Sequence, residues 1–277
     1  MKWPFRQVDA KTKFLSADSA VKEGLYFAQK GQLEKALSSF TTAIKLDPCQ
    51  WAAYRFRGIT YAKLGQYNLA LKNYNVIIQH SPLNADIFFE RGRINLFSSR
   101  FEAALKDFSN CLNINPDYAP AYSSRAWILT RKGLYKKALA DIETAVEINP
   151  KNSEYLHNRA VILTELGRYD EAIKDYKTVI KLNPKSGGSY NNLAWLLITA
   201  KDPALRNCRK AIQLARKSLQ IDKNASWMDT LSMAYAECGE FEKAVKIESE
   251  AYKLSVPRNE NFRKRIEIYK SHQTDKR

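Results

Sequence analysis

The chain is poor in the residues that most site chemistry needs. Among its 277 residues are three histidines and four cysteines. No cysteines form a CxxC pair, and His80, His157 and His272 lie at no metal-ligand spacing from them, so no metal site is expected. No glycine-rich phosphate loop follows a strand, and no Ser/His/Asp or Cys/His arrangement has supporting context, so an enzyme is not expected and no cofactor is implied. There is no apolar run of the roughly 18 residues that a membrane span needs. The longest stretch, residues 193–200, is far shorter. The first twenty residues lack the apolar core of a leader and carry Lys2, Arg6, Lys11 and Lys13. These absences predict a cytoplasmic location. Cys49, Cys111, Cys208 and Cys238 accordingly read as free thiols in a reducing compartment.

Acidic residues are also scarce. Lysine and arginine number 45 against 29 aspartate and glutamate, a net charge of +16. The excess is uneven. Residues 201–223 carry +5, whereas residues 224–257 carry −3 and the long stretch 23–200 only +7. Basic ends and a basic segment attract nucleic acid or an acidic surface, and otherwise serve as solvated, solubilising surface.

What the chain has in quantity is repetition. Pro48, Pro82, Pro116, Pro150 and Pro184 recur every 34 residues. Aligned on them, units start near Ala17, Trp51, Ala85, Ala119, Ser153, Gly187 and Ala225. Small residues fill position 8 (Gly24, Gly58, Gly92, Ala126, Ala160, Ala194), one helical face from the large residues at 4 and 11. Glycine at position 15 (Gly31, Gly65, Gly133, Gly167, Gly239) suits a helix end needing positive φ, and Ser99 stands there in the third unit. A second helix shows alanine at 20, an aromatic or aliphatic residue at 24 and a small or aliphatic one at 27, as in Ala70, Tyr74 and Ile77, before the proline at 32 ends it. A period of this length marks stacked two-helix units, whose extended surface favours binding over catalysis.

The small residue at 8, glycine at 15, aromatic or leucine at 17, alanine at 20 and proline at 32 resemble the tetratricopeptide repeat family over about residues 17–254. The resemblance implies an all-α, right-handed α-solenoid of about seven helix-turn-helix repeats, near 17–50, 51–84, 85–118, 119–152, 153–186, 187–224 and 225–254. Residues 1–16 read as a basic arm and 255–277 as a capping helix and basic tail, with Phe262, Ile266 and Tyr269 inward and Arg263, Lys264, Arg265 and Lys270 toward water. The sixth repeat fits only with five extra residues at 201–207, which predicts an enlarged turn and a partner helix over about residues 208–221. The run through Asn192, Trp195, Asp229 and Gly239 resembles the closing repeats of many bacterial members.

Position 7, usually leucine in the family, is Arg57, Arg91, Arg125 and Arg159 here. Position 23 carries Asp107, Asp141 and Asp175, so structural Arg–Asp pairing is expected, with Arg57 facing only Asn73. Positions 2, 5, 9 and 12 form a separate stripe that lines the family's groove. With position 12 or 13 added, which brings in Leu96, Phe97 and Arg131, it holds Arg55, Ile59, Phe89, Arg93, Trp127, Arg131, His157, Val161, Asn191 and Trp195, and apolar residues on such a stripe indicate a binding surface. The expected function is a non-catalytic scaffold holding a partner's peptide segment, acidic with apolar anchors. The alternative is nucleic-acid or acidic-surface binding through the basic termini and residues 201–223. The Lys/Asn pairs of a carboxylate clamp are absent from positions 5 and 9.

Overall fold

The computed structural model describes residues 16–255, 257 and 259–274. The arm at residues 1–15 and the last three residues of the basic tail lie outside them. The described residues form helices throughout: α1 (Ala17–Gln29), α2 (Leu33–Leu46), α3 (Trp51–Lys63), α4 (Tyr67–His80), α5 (Ala85–Phe97), α6 (Phe101–Ile114), α7 (Ala119–Arg131), α8 (Tyr135–Ile148), α9 (Ser153–Glu165), α10 (Tyr169–Leu182), α11 (Gly187–Thr199), α12 (Cys208–Ile221), α13 (Ala225–Glu237), α14 (Phe241–Leu254) and α15 (Glu260–Thr274). One 3-10 turn, Pro203–Leu205, lies between α11 and α12. Among the described residues there is no strand. This is an all-α repeat solenoid, and the first helix of each repeat begins at the residue where the sequence period begins.

The chain divides into two compact units, the first up to Ile128 and the second from Leu129. In the first, α1 packs on α2, α3 on α4 and α5 on α6. In the second, α9 packs on α10, α11 on α12, α13 on α14, and α15 on α14. The core lies where the period put it. Ala36, Phe40 and Ala43 are fully buried, as are Ala104, Phe108 and Cys111, and Ala172, Tyr176 and Val179 nearly so. The small residue at position 8 exists to admit the large one at 24. A Cβ added to Gly58 would lie 2.8 Å from the Tyr74 ring, closer than carbon atoms pack. Truncating a ring such as Phe108 to alanine would cost about 3–5 kcal/mol.

The turns follow the same logic. The five glycines at position 15 have φ between 72° and 76°, and Ser99 is held at φ 59°. Asparagines cap several first helices, Asn84 accepting from the Ile87 amide and Asn224 from that of Trp227.

Two expectations need correction. Cys208 and Cys238 are not free thiols: they form a disulfide, with Cα atoms 5.5 Å apart. The enlarged turn brings the start of α12 to the end of α13, a neighbourhood that CxxC spacing cannot reveal. Cys49 and Cys111 are the free cysteines among the described residues. The second correction is Arg265. It does not face water but is partly buried against Asp229 of α13. Phe262 and Tyr269 are buried as expected, while Arg263, Lys264 and Lys270 are exposed.

Candidate functional site

The arginines at position 7 are structural. Arg91 grips Asp107 of its own repeat with Nε at 3.0 Å, and its Nη1 donates to Asn75 of the preceding repeat at 2.8 Å. Arg159 grips Asp175 through Nε and Nη2 at 2.7 and 2.8 Å. Arg57 meets Asn73 at 2.9 Å and reaches back to Thr41. Each bond to position 23 spans sixteen residues within one repeat. The bonds to Thr41 and Asn75 stitch two of these arginines to the repeat before.

In the first unit, the predicted stripe residues sort by how far their side chains are committed. Arg55 is occupied by Glu90 of the next repeat, which also accepts from the Tyr74 hydroxyl at 3.0 Å. Burial, with Glu90 alongside, pushes the Tyr74 hydroxyl far above its ordinary range. Phe89 is half-buried, its ring 4.9 Å from Tyr118 and 5.8 Å from Phe108. Ile59 and Arg93 meet at a cavity of about 490 Å³ between α3, α4 and α5, with Ala62, Tyr67, Tyr74 and Phe97 around it. Phe97 is 61% exposed. The Arg93 guanidinium lies over the rings of Phe89 and Phe97, at 6.0 and 5.7 Å, and among the described residues it forms no hydrogen bond or ion pair. Trp127 is exposed, with its ring 6.4 Å from Phe101.

In the second unit, the predicted residues differ more in setting. His157 is half-buried, its Nδ1 2.7 Å from the Ser189 hydroxyl and its ring edge-on to Tyr176. Burial lowers its basicity below the usual histidine value, which keeps it neutral at physiological pH. Val161 is half-buried, and Arg131 and Trp195 are exposed. Asn191 is half-buried, with its Oδ1 enclosed and lacking a hydrogen-bond partner.

Sequence reasoning missed part of the cavity. Tyr67 and Tyr74, at positions 17 and 24, read as packing residues only, yet one edge of each faces the cavity. Phe97, at position 13, lies on the predicted stripe and lines the same cavity. Among the described residues, no group of three His, Cys, Asp or Glu side chains could hold a metal ion. No helix there is long and apolar enough to cross a membrane.

Comparison with known proteins agrees with this architecture. Family models described as tetratricopeptide repeat match residues 21–85, 119–152 and 153–186. No curated protein matches the sequence. Among solved structures, a tetratricopeptide repeat protein from Parabacteroides merdae is 19% identical, with TM-score 0.68 over 91% of this chain and 98% of that one. The C-terminal part of a repeat-containing protein from Cytophaga hutchinsonii is 15% identical, with TM-score 0.65 over 87% and 97%. YrrB, a TPR protein described as having an unusual peptide-binding site, is 19% identical, with TM-score 0.54 over 64% and 91%. The 34-residue register, the helix pairs that obey it and these matches converge: the chain belongs to the tetratricopeptide repeat family, whose stacked helix pairs are scaffolds for protein–protein interaction.

Proposed function

We propose that the protein is a non-catalytic scaffold that binds a peptide segment of a partner along its first helices. The observation that carries this reading is the cavity at Ile59, Tyr67 and Phe97, with Arg93 standing over it. An exposed phenyl ring beside an apolar hollow invites an apolar anchor from the ligand. A guanidinium stacked on two rings, with its donors uncommitted, favours a carboxylate next to that anchor. The ligand is thus an acidic segment with a large apolar side chain. Exposed Trp127 of the first unit and exposed Trp195 of the second are anchors of the same kind, each within its own unit. The peptide-binding site described for YrrB lends support by likeness of fold.

The cytoplasmic location expected from the sequence leaned on free thiols, and the Cys208–Cys238 disulfide removes that support. The proposal is tested by affinity capture with quantitative mass spectrometry. Wild-type protein is compared with Arg93→Glu/Phe97→Ala and with Trp127→Ala/Trp195→Ala, helicity being checked by circular dichroism. Partners depleted about tenfold or more by the variants are the expected result. Equal recovery of every partner would remove the basis for the groove.

A further inference from the structure

Two clefts occupy the same place in different repeats but differ in chemistry. In the first unit, the cleft between α4, α5 and α6 is lined by Asn68, Asn75, Arg91, Asn95 and Asp107. In the second unit, the cleft between α10, α11 and α12 has Lys177, Leu193, Leu197 and Leu214 at the last four of these positions. The pair that closes the floor in the earlier repeat, Arg91 with Asp107, is replaced by Leu193 and Leu214, which are 3% and 8% exposed. Ile173, Ile180 and Tyr190 extend the apolar lining, and the cavity measures about 640 Å³. That volume lies within the range of ligand-binding pockets.

The five-residue insertion shapes one wall. Leu205 of the 3-10 turn faces the cavity. The turn is fastened there: the Asn207 amide donates to the Leu197 carbonyl at 2.9 Å, and Arg206 Nε donates to the Ala200 carbonyl at 2.8 Å. The disulfide at Cys208 anchors the first residue of α12. A hydrophobic hollow therefore sits at the edge of the most basic stretch of the chain, all of whose lysines and arginines are exposed.

We propose that this cleft is a second docking site, for an acidic peptide segment carrying bulky apolar side chains. Charge complementarity selects the occupant. Lys177 and Lys210 line the cleft and, among the described residues, form no ion pair, while Asp170 is the single acidic residue lining it. The basic residues 1–15 of the chain itself are a poor match for such a rim. Nucleic acid has no use for a floor of leucines, because its bases stack on aromatic faces. The site is independent of the groove beside Arg93, since it is built from other helices within the second unit alone.

The test is selection from a displayed library of acidic peptides containing Phe, Leu and Trp, followed by fluorescence-anisotropy titration of the recovered peptides. Leu193→Arg/Leu214→Asp rebuilds in the sixth repeat the pair that other repeats use, so the fold should survive while the apolar floor is lost. Peptides recovered on wild type should lose at least tenfold in affinity for this variant. They should also weaken with Lys177→Glu/Lys210→Glu, whose changes lie at the rim and leave the core intact. Binding to Arg93→Glu/Phe97→Ala should be unchanged, which separates this site from the groove. The proposal is overturned if no acidic peptide is recovered, or if recovered peptides bind all variants alike or depend only on Arg93 and Phe97. It is also overturned if a labelled single-stranded RNA binds instead and is lost with the lysines, or if the wild type proves to self-associate through this cleft and the lysine variant does not.

Discussion

Arg159 places two guanidinium nitrogens on the two carboxylate oxygens of Asp175, at 2.7 and 2.8 Å, across the two helices of one repeat. Asp175 is nearly buried and Arg159 about a quarter exposed. Taking one partner away strands the other in a desolvated place, which costs more than the pair contributes. Asp175→Ala should lower stability by about 3 kcal/mol, read as a shift of the urea midpoint at constant slope. Arg159→Leu/Asp175→Leu, the combination found at 193 and 214, should fall within about 1 kcal/mol of wild type. If both variants lose the same amount, the pair is stabilising in its own right and the leucine floor of the sixth repeat is not its equivalent.

Ser99 occupies the turn position that other repeats give to glycine, at φ 59°. A Cβ in the left-handed region costs about 1–2 kcal/mol, and the glycines at the other turns avoid that cost. Ser99→Gly should therefore raise stability by about 1 kcal/mol, the gain being trimmed by the extra freedom glycine has when unfolded. A melting temperature unchanged or lowered would mean that the Ser99 side chain contributes something its position does not show.

The Cys208–Cys238 disulfide closes a loop of 30 residues over α12 and α13. Loop closure of that length stabilises by roughly 3–4 kcal/mol in the chain-entropy account. Cys208→Ser/Cys238→Ser should lower the melting temperature by a corresponding amount, and a reductant should lower that of the wild type but not of the variant. Counting thiols under denaturing conditions without reductant should give two, from Cys49 and Cys111. A count of four, on protein taken directly from its cell, would mean that the pair is kept reduced there.

The helices were legible because the 34-residue period fixes both the helix starts and the buried positions: Phe40, Tyr74 and Phe108 are each where a register of four and three put them. The Arg–Asp pairs were legible too, since positions 7 and 23 repeat together. Legibility failed where residues from outside the period intervene. The tyrosines at 67 and 74 join Phe97 around a cavity because α3 and α5 stand at a particular spacing, which no single repeat encodes. Arg265 reads as a surface residue of an amphipathic helix until α15 is set on the last repeat, where it meets Asp229. The sharpest case is Glu248, a carboxylate at position 24, where other repeats bury an aromatic or aliphatic side chain.

Glu248 of α14 is fully buried, and its surroundings imply that it carries a proton. The Ser232 hydroxyl lies 3.0 Å from the Asp229 backbone carbonyl and in a short hydrogen bond with Glu248 Oε2. One hydroxyl proton cannot serve both acceptors, but a protonated Glu248 donating to Ser232, which donates to Asp229, satisfies both, and Oε1 keeps no hydrogen-bond partner. The titratable groups facing the carboxyl are Asp229 from α13, with Arg265 and Tyr269 from α15. Arg265 Nε is 3.6 Å from Oε1, but its guanidinium is shared with Asp229, so one cation faces two acids. Burial above all, with Asp229 adding to it, pushes Glu248 up to about 8 from an ordinary 4.5. A folded value above the unfolded one means that this group favours the folded state fully below about 4.5, and that the advantage drains away as pH rises through about 8. Against Glu248→Gln, whose amide can donate to Ser232 at any pH, the wild type should lose melting temperature steadily from about pH 5 to about pH 9. Amide exchange in α15 should quicken over the same interval, because this helix supplies Arg265 and Tyr269. Parallel pH profiles for the two proteins would show that Glu248 is ionised throughout and that Arg265 alone balances both acids.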